Sequence, residues 1–166
     1  MLRRILGLAG AAAALALAAM AALVLILRTR WEPGIRFLHE RQRAFRDRAV
    51  ARSGRPGDAH AVVHHVGRTS GRAYATPIGV ERTPAGFVVT LPYGSGTDWA
   101  RNVLAAGGGE LTTDGETVRV TSPRVLGRAE AAPLLSTRER VVGQVFGVTE
   151  YLLLQLDPGQ HGVDRL

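Results

Sequence analysis

Residues 60–91 read HAVVHHVGRTSGRAYATPIGVERTPAGFVVTL, and their punctuation decides the fold. His60–Val66 is apolar and rich in β-branched residues. Gly67-Arg68-Thr69-Ser70-Gly71 interrupts it as a turn. Tyr74–Glu81 resumes the short period, Thr83-Pro84-Ala85-Gly86 interrupts again, and Phe87–Leu91 is a third, strongly apolar run. Short runs of this kind, separated by glycine- and proline-containing turns, predict an antiparallel meander. Downstream, Glu110–Thr113 and Thr117–Thr121 flank Asp114-Gly115, a hairpin signal, and Tyr151–Leu156 reads as a closing strand. Pro123–Arg128 continues as strand or loop. Two stretches are helical instead: Asp98–Ala105, with Asp98 as its N-cap and Gly107-Gly108-Gly109 as its stop, and 129–145. The pattern predicts an α+β domain: a small, mostly antiparallel β-barrel of about six strands with two helices.

Working towards the N-terminus, Ser53-Gly54-Arg55-Pro56-Gly57-Asp58 marks a boundary. Before it, residues 31–52 predict a helix with Ile35, Phe37, Leu38, Phe45 and Val50 as apolar members and Arg41, Arg43, Arg46, Arg48 and Arg52 as basic ones. Such a helix either lies on a bilayer surface or serves as a solvated linker. Earlier still, Ile5–Leu27 carries no charge and no strongly polar side chain. At about 1.5 Å per residue it reaches roughly 34 Å, enough for a hydrocarbon core of about 30 Å. Arg3 and Arg4 flank one end, Arg28 and Arg30 the other, and Trp31 follows as an interfacial aromatic. A cleaved signal peptide is the alternative, since Ala16-Leu17-Ala18 offers a cleavage site. The apolar run, however, continues through Leu23-Val24-Leu25-Ile26-Leu27, beyond the usual length of a signal core. Three segments result: a transmembrane anchor over 1–30, a basic juxtamembrane helix and linker over 31–57, and the barrel domain over 58–166.

Charge follows the same division. The net +7 separates into +2 for residues 1–27, +6 for 28–55 and −1 for 56–166. All 21 basic residues are Arg. The basic stretch adjoins the anchor, while the globular part is nearly neutral. That favours anionic lipid headgroups as its partner over nucleic acid, which would want the cations on the folded domain. Nine Arg after the span against two before it put the C-terminal domain in the cytoplasm of a single-pass cell-membrane protein. The chain has no Cys, which excludes disulfides and thiolate metal sites.

Two loops concentrate chemical groups. Gly67-Arg68-Thr69-Ser70-Gly71-Arg72 combines two glycines, two hydroxyls and two guanidiniums. It is either an anion-binding nest or an ordinary hairpin loop with exposed Arg. Tyr93-Gly94-Ser95-Gly96-Thr97-Asp98-Trp99 joins a strand to a helix start, where free N–H groups and two aromatic rings can flank a planar ligand. Alternatively, Trp99 and Val103 are core anchors. His60, His64 and His65 do not predict a metal site: on a strand the first two share a face and the third opposes them, with no clustered carboxylates beside them. No nucleophile–base pair or paired carboxylates stand out, so an enzyme built from this sequence would rely on a cofactor.

Three segments together resemble the deazaflavin-dependent nitroreductase family, also called the F-420-dependent quinone reductase group. They are Val66–Arg72 with the following Thr76-Pro77, the Tyr93–Gly108 block with its Asp98-Trp99-Ala100-Arg101-Asn102 core, and Pro123-Arg124 with Val148–Leu154. The likeness runs from about residue 60 to 155. It implies a split β-barrel, often dimeric, and the 8-hydroxy-5-deazaflavin coenzyme F-420. By resemblance the turn holds the cofactor's phosphate and acidic tail, with Arg68, Ser70 and Gly71 matching directly and Arg72 compensating in part for absent cations; Thr69, Thr76 and Pro77 complete the cofactor-binding set. Thr69 stands where many members have Lys, and Tyr74 where many have Arg. Tyr93, Gly94 and Ser95 match the loop beside the deazaflavin ring, and Trp99 and Asn102 the helix lining it.

The resemblance implies hydride transfer from reduced deazaflavin to a quinone or nitro-type acceptor, and the expected anchor, by holding the barrel at the bilayer surface, favours a hydrophobic, membrane-soluble one. Tyr93 is the candidate proton donor, with solvent as the alternative. The competing readings are an FMN-dependent enzyme of the same barrel superfamily and a membrane-tethered, non-catalytic cofactor-binding module.

Overall fold

The computed structural model describes residues 2–58 and 60–160. The side chains of Arg3, Arg4, Arg43, Phe45 and Arg46 lie outside the described part, as do Ala59 and residues 161–166 of the segment 58–166. The elements in order are α1 (Leu2–Thr29), α2 (Glu32–Arg52), β1 (His60–Val66), β2 (Ala73–Thr83), β3 (Gly86–Thr90), α3 (Asp98–Ala106), β4 (Gly108–Thr113), β5 (Glu116–Gly127), α4 (Arg128–Ala131), a 3-10 turn (Ala132–Leu134), α5 (Thr137–Val145), β6 (Glu150–Leu156) and a 3-10 turn (Pro158–Gln160).

The six strands form a closed antiparallel barrel in the order β1-β2-β3-β6-β5-β4. Val62–His64 pairs with Glu110–Thr112 and shuts the ring, so the barrel is continuous where the family resemblance implies a split one. The strands are strongly staggered. A path across the ladders from Thr83 runs through Gly86, Gln155, Thr121 and Gly108, and then returns through β1 to the Ala73 end of β2. Closure of a few strands demands such a tilt.

Two apolar clusters explain the uninterrupted hydrophobic runs. Phe87, Val89, Leu152 and Leu154 point inward with Val63, Leu111 and Val120. Their neighbours Val88, Tyr151 and Leu153 point outward beneath Leu126, Ala131, Leu135 and Val148. A strand buried on both faces loses the alternation of a half-exposed one. The outer cover comes from the excursion between β5 and β6. The sequence predicts one helix there, over 129–145. The structure divides it, because Pro133 falls in the 3-10 turn and Ser136 takes an extended conformation, its hydroxyl capping α5 by accepting the Glu139 N–H at 3.2 Å. The helix count therefore exceeds the two expected. The Glu81 carboxylate accepts the Ser136 N–H at 2.7 Å and ties this cover to the ring.

Smaller departures have local causes. Pro123–Arg128 belongs to β5 as far as Gly127, entered through an irregularity between Thr121 and Arg124 where Ser122 has φ 51°. The cap position of α3 is Thr97, and Asp98 is the first helical residue, where the positive helix end favours its carboxylate. Gly107, at φ 71°, ends α3 in the left-handed region as a C-terminal glycine should.

Among the described residues one helical span, Ala9–Thr29, is long and apolar enough to cross a membrane, with mean hydropathy 2.5. Leu15, Leu17 and Leu25 on it are exposed. Its C-terminal end is docked rather than loose. Leu27 is buried, Arg28 Nη1 donates to the Val145 carbonyl at 3.4 Å, and Arg30 Nη2 donates to Thr149 Oγ1 at 3.2 Å. α2 packs against β2. The boundary segment is tied down too: the Gly54 N–H donates to the His60 carbonyl, and the Gly54 carbonyl accepts from Gly115, both at 2.7 Å.

Phe87 is the largest inward-facing side chain of β3 and is 1 % exposed. Phe87→Ala is expected to cost about 3–5 kcal/mol of stability in urea unfolding of the full chain in detergent, whereas Val141→Ala on the exposed face of α5 should stay within about 0.5 kcal/mol.

Candidate functional site

The barrel interior opens at the end where β1 passes into β2, and α3 lies across that opening. Ala100 and Val103 are fully buried there, and Trp99 and Leu104 pack against the interior cluster. Trp99 is thus a core anchor, one of the two roles its position allowed. The same helix turns Asn102 towards the Gly67–Gly71 turn, and Asn102 is 5 % exposed.

Asn102 joins the two segments that the sequence singles out separately. Its Oδ1 accepts the Arg68 main-chain N–H at 3.1 Å and the Arg68 guanidinium at 3.0 Å. Its Nδ2 therefore faces His65 Nδ1, at 3.1 Å, as a donor. That assigns the His65 proton to Nε2, which donates to Thr76 Oγ1 at 3.1 Å. His65 also stacks on Tyr74, with ring centroids 5.7 Å apart, and the Tyr74 hydroxyl lies 3.2 Å from Ser70 Oγ. Arg68, Ser70, Thr76 and Asn102 are thereby brought into one network with His65 and Tyr74. Arg68 is further engaged by Asp98 at 3.4 Å.

The turn itself is internally closed. Gly67 N–H donates to Arg72, and Gly71 N–H donates back to Gly67, both at 2.8 Å. Gly71 stands at φ 64°, a conformation that costs a side-chain-bearing residue. Among the described residues, the N–H groups of Thr69 and Ser70 and the guanidinium of Arg72 have no protein partner, and all three residues are exposed. An open groove of about 860 Å³ starts at Val66 and Ala73, which flank the turn, and runs past His65, Tyr74, Gly107, Gly108 and Arg119; none of Arg68–Arg72, Thr76, Tyr93–Ser95, Trp99 and Asn102 lines it. That volume falls within the range of small-molecule sites.

The Tyr93-Gly94-Ser95 loop makes a second cluster, further along the rim. Ser95 N–H donates to the Glu150 carboxylate at 2.6 Å. That bond, and one from the Ser95 side chain, hold the Glu150 carboxyl below its ordinary value against partial burial, with Arg30 adding to the effect. Gly94, at φ 78°, is buried between Arg30 and Glu150, and a Cβ there would stand 3.2 Å from Arg30 Nη1. Pro77 follows Thr76 on the part of β2 that pairs only with β1, and by strand alternation it takes the opposite face from Thr76, where a missing N–H is tolerated.

Sequence reasoning missed His65, Asp98 and Glu150 as members. His65 faces away from His64, which is bonded to Thr112 Oγ1 at 2.9 Å, and the exposed His60 lies 3.4 Å from Asp58. The strand alternation that argues against a metal cluster is also the signal that His65 turns to a different neighbourhood. Glu150 gives no signal of its own, because its partner Ser95 is 55 residues away.

Two outcomes test the site. Asn102→Ala removes both the acceptor for Arg68 and the donor to His65 inside a buried network; it should cost about 2–3 kcal/mol in chemical denaturation. Glu150 has a folded pKa below its ordinary 4.5, so its contribution is fully present above about pH 4.5 and is lost as pH falls through the lowered value. Glu150→Gln should therefore flatten the decline in denaturation midpoint below about pH 4.5 relative to the unaltered chain.

The sequence matches no protein-family model, and no curated protein matches it significantly.

Proposed function

We propose that this chain is an oxidoreductase that passes a hydride from reduced deazaflavin coenzyme F-420 to a membrane-soluble acceptor, a quinone above all. The observation that carries the reading is the Asn102 amide. It fastens the glycine-flanked turn to α3, the two segments on which the family resemblance rests, and does so beside a groove of ligand size.

The donor set fits a phosphate. The N–H groups of Thr69 and Ser70, their hydroxyls, the freedom of Gly71 and the unpaired Arg72 form a cationic cradle open to solvent. When bound, the deazaflavin supplies a two-electron hydride donor, chemistry that no side chain here provides. The chain's own task is positioning. Thr69, Ser70, Gly71 and Arg72 hold the phosphate. Asn102 and Thr76 keep the turn and β2 in register through His65. Trp99 fixes α3 over the barrel end, and Tyr93, Gly94 and Ser95 border the acceptor side, where the Tyr93 hydroxyl or solvent provides the proton. The membrane anchor, with the barrel on the cytoplasmic side, keeps this chemistry at the surface where a hydrophobic acceptor is concentrated.

One observation favours FMN as a second reading. Arg68 is engaged by Asp98 and Asn102, and Thr69 and Tyr74 carry no charge, so the turn offers less to a long acidic tail than the family's usual grip. FMN has a phosphate and no such tail.

Titration with each cofactor decides between them. Coenzyme F-420 should bind more tightly than FMN. Arg72→Ala should weaken F-420 by about 1–3 kcal/mol, with the loss shrinking at high salt, and Thr69→Lys should tighten it. Reduced F-420 should bleach faster with quinone when the protein is present. Acceleration with reduced FMN alone would establish the flavin reading. Tight binding with no acceleration would make the protein a cofactor-binding module.

A further inference from the structure

Beyond α1 and α2, the large apolar side chains left exposed among the described residues are Val66, Val141 and Val145, and the last two lie on α5 near the exit of α1. On α5, Val141 is 52 % and Val145 46 % exposed, and their four-residue spacing places them on one side of the helix. Arg138 precedes Val141 by three residues on that side, and Arg140 is exposed next to it. Glu139 is turned inward, where its carboxylate accepts from Thr90 Oγ1 at 3.4 Å. The outward face of α5 is therefore apolar and basic, with its acid withdrawn.

Its location is fixed by the end of α1. Arg28, which directly follows the uncharged run, donates to the Val145 carbonyl, and Arg30 reaches Thr149 in the next loop. Gly147 packs against the Arg28 side chain, so close that a Cβ there would lie 3.0 Å from Arg28 Cγ. If Ala9–Thr29 crosses a bilayer, Arg28 sits at the headgroup level, and Val145 is held at that level by a single hydrogen bond. Val141 is one helical turn, about 6 Å, further along.

We propose that the Val141/Val145 face of α5 is a second membrane-contact surface, seated on anionic phospholipid headgroups beside the anchor. This rests on the anchor reading of α1. Valines at the acyl boundary, arginines among the phosphates and an inward acid are the complement of an anionic interface. The consequence for the proposed reaction is orientation. α5 leads through Phe146, Gly147 and Val148 into Thr149 and Glu150, and Glu150 holds the Ser95 loop. Seating α5 turns the Tyr93–Ser95 loop towards the bilayer, and the exposed Gly67–Arg72 turn, fastened through Arg68 to Asp98 and Asn102 of α3, is left to admit a water-borne cofactor.

The absence of cysteine makes a direct test available. Full-length chain carrying a single substitution, Val141→Cys, Leu15→Cys or Thr117→Cys, is labelled with an environment-sensitive fluorophore. It is then reconstituted in phosphatidylcholine vesicles containing phosphatidylglycerol. Spin labels are placed on the lipid headgroup or deep in the acyl chain. Expected are deep quenching at position 15, headgroup-level quenching at 141 at least threefold above that at 117, and loss of most of it in vesicles of phosphatidylcholine alone. Deep quenching at 15 with position 141 equal to 117 would overturn the α5 proposal and leave the anchor standing. No lipid quenching at 15 would overturn both. Shielding of 141 from a water-soluble quencher, without lipid quenching, would mean that a second copy covers α5 instead, and would also overturn it.

Discussion

A ring of six antiparallel strands has an interior that must be filled and two ends that must be kept from water. Here the filling comes from Phe87, Leu111, Leu152, Leu154 and the valines between them, and one end is stoppered by α3. The arrangement of the candidate site depends on that stopper. A nine-residue helix laid across an apolar opening must bury Ala100 and Val103, and its 3.6-residue period then fixes where Asp98, Trp99 and Asn102 face. Asn102 is carried to the rim almost as a by-product. Once there, a buried amide with two donors and an acceptor has to be satisfied. The Arg68 N–H and the Arg68 guanidinium take its acceptor, and the His65 ring takes one of its donors. The geometry of the candidate site is thus inherited from a packing requirement, which gives the turn a fixed shape without demanding rigidity of the turn itself.

The barrel is legible in the sequence because its signals are local. Turn residues such as Gly67, Gly71, Gly86 and the Asp114-Gly115 pair set strand ends to within one or two residues. Closure is less legible, since the pairing of Val62–His64 with Glu110–Thr112 joins segments far apart in sequence and leaves no periodic trace. Residues 129–145 suggest a single long helix because their apolar members keep a helical rhythm across Pro133 and Ser136. Only its first part, Ala131, Leu134 and Leu135, covers the outward-facing residues of β3 and β6, whereas Val141 and Val145 keep the rhythm on the exposed side of α5. The candidate site divides in the same way. Arg68, Ser70, Thr76 and Asn102 are visible as residue types with binding chemistry. The partners His65 and Asp98, which hold Asn102 and Arg68, and Glu150, which holds Ser95, are not, because partnership across 30 to 55 residues is a product of the fold.

The coupling between α1 and the barrel changes how the N-terminal segment should be regarded. A basic stretch after an apolar helix reads in sequence as charge for a lipid surface. In the structure Arg28 and Arg30 are partly spent on the protein, on the Val145 carbonyl and Thr149. Surface contacts of this kind are individually worth little, but they sit beside a buried Leu27 and a tight approach at Gly147, and together they specify an angle. Arg30 also contributes to the field at Glu150, so the segment leaving α1 is electrically connected to the loop bordering the proposed acceptor side.

The ring is closed but not everywhere doubly bonded. β2 pairs with β3 only over Val80–Thr83, so its first seven residues have β1 as their sole neighbour. Such a stretch is a template on which another extended chain can add itself. Two devices blunt it: Pro77 has no N–H to offer an incoming strand, and α2 packs against the same strand. A chain shortened to begin at Gly57 would keep every barrel strand yet lose α2. Its hazard would be strand-mediated self-association rather than unfolding, and α2 would then count as a guard against aggregation as much as a connection to α1.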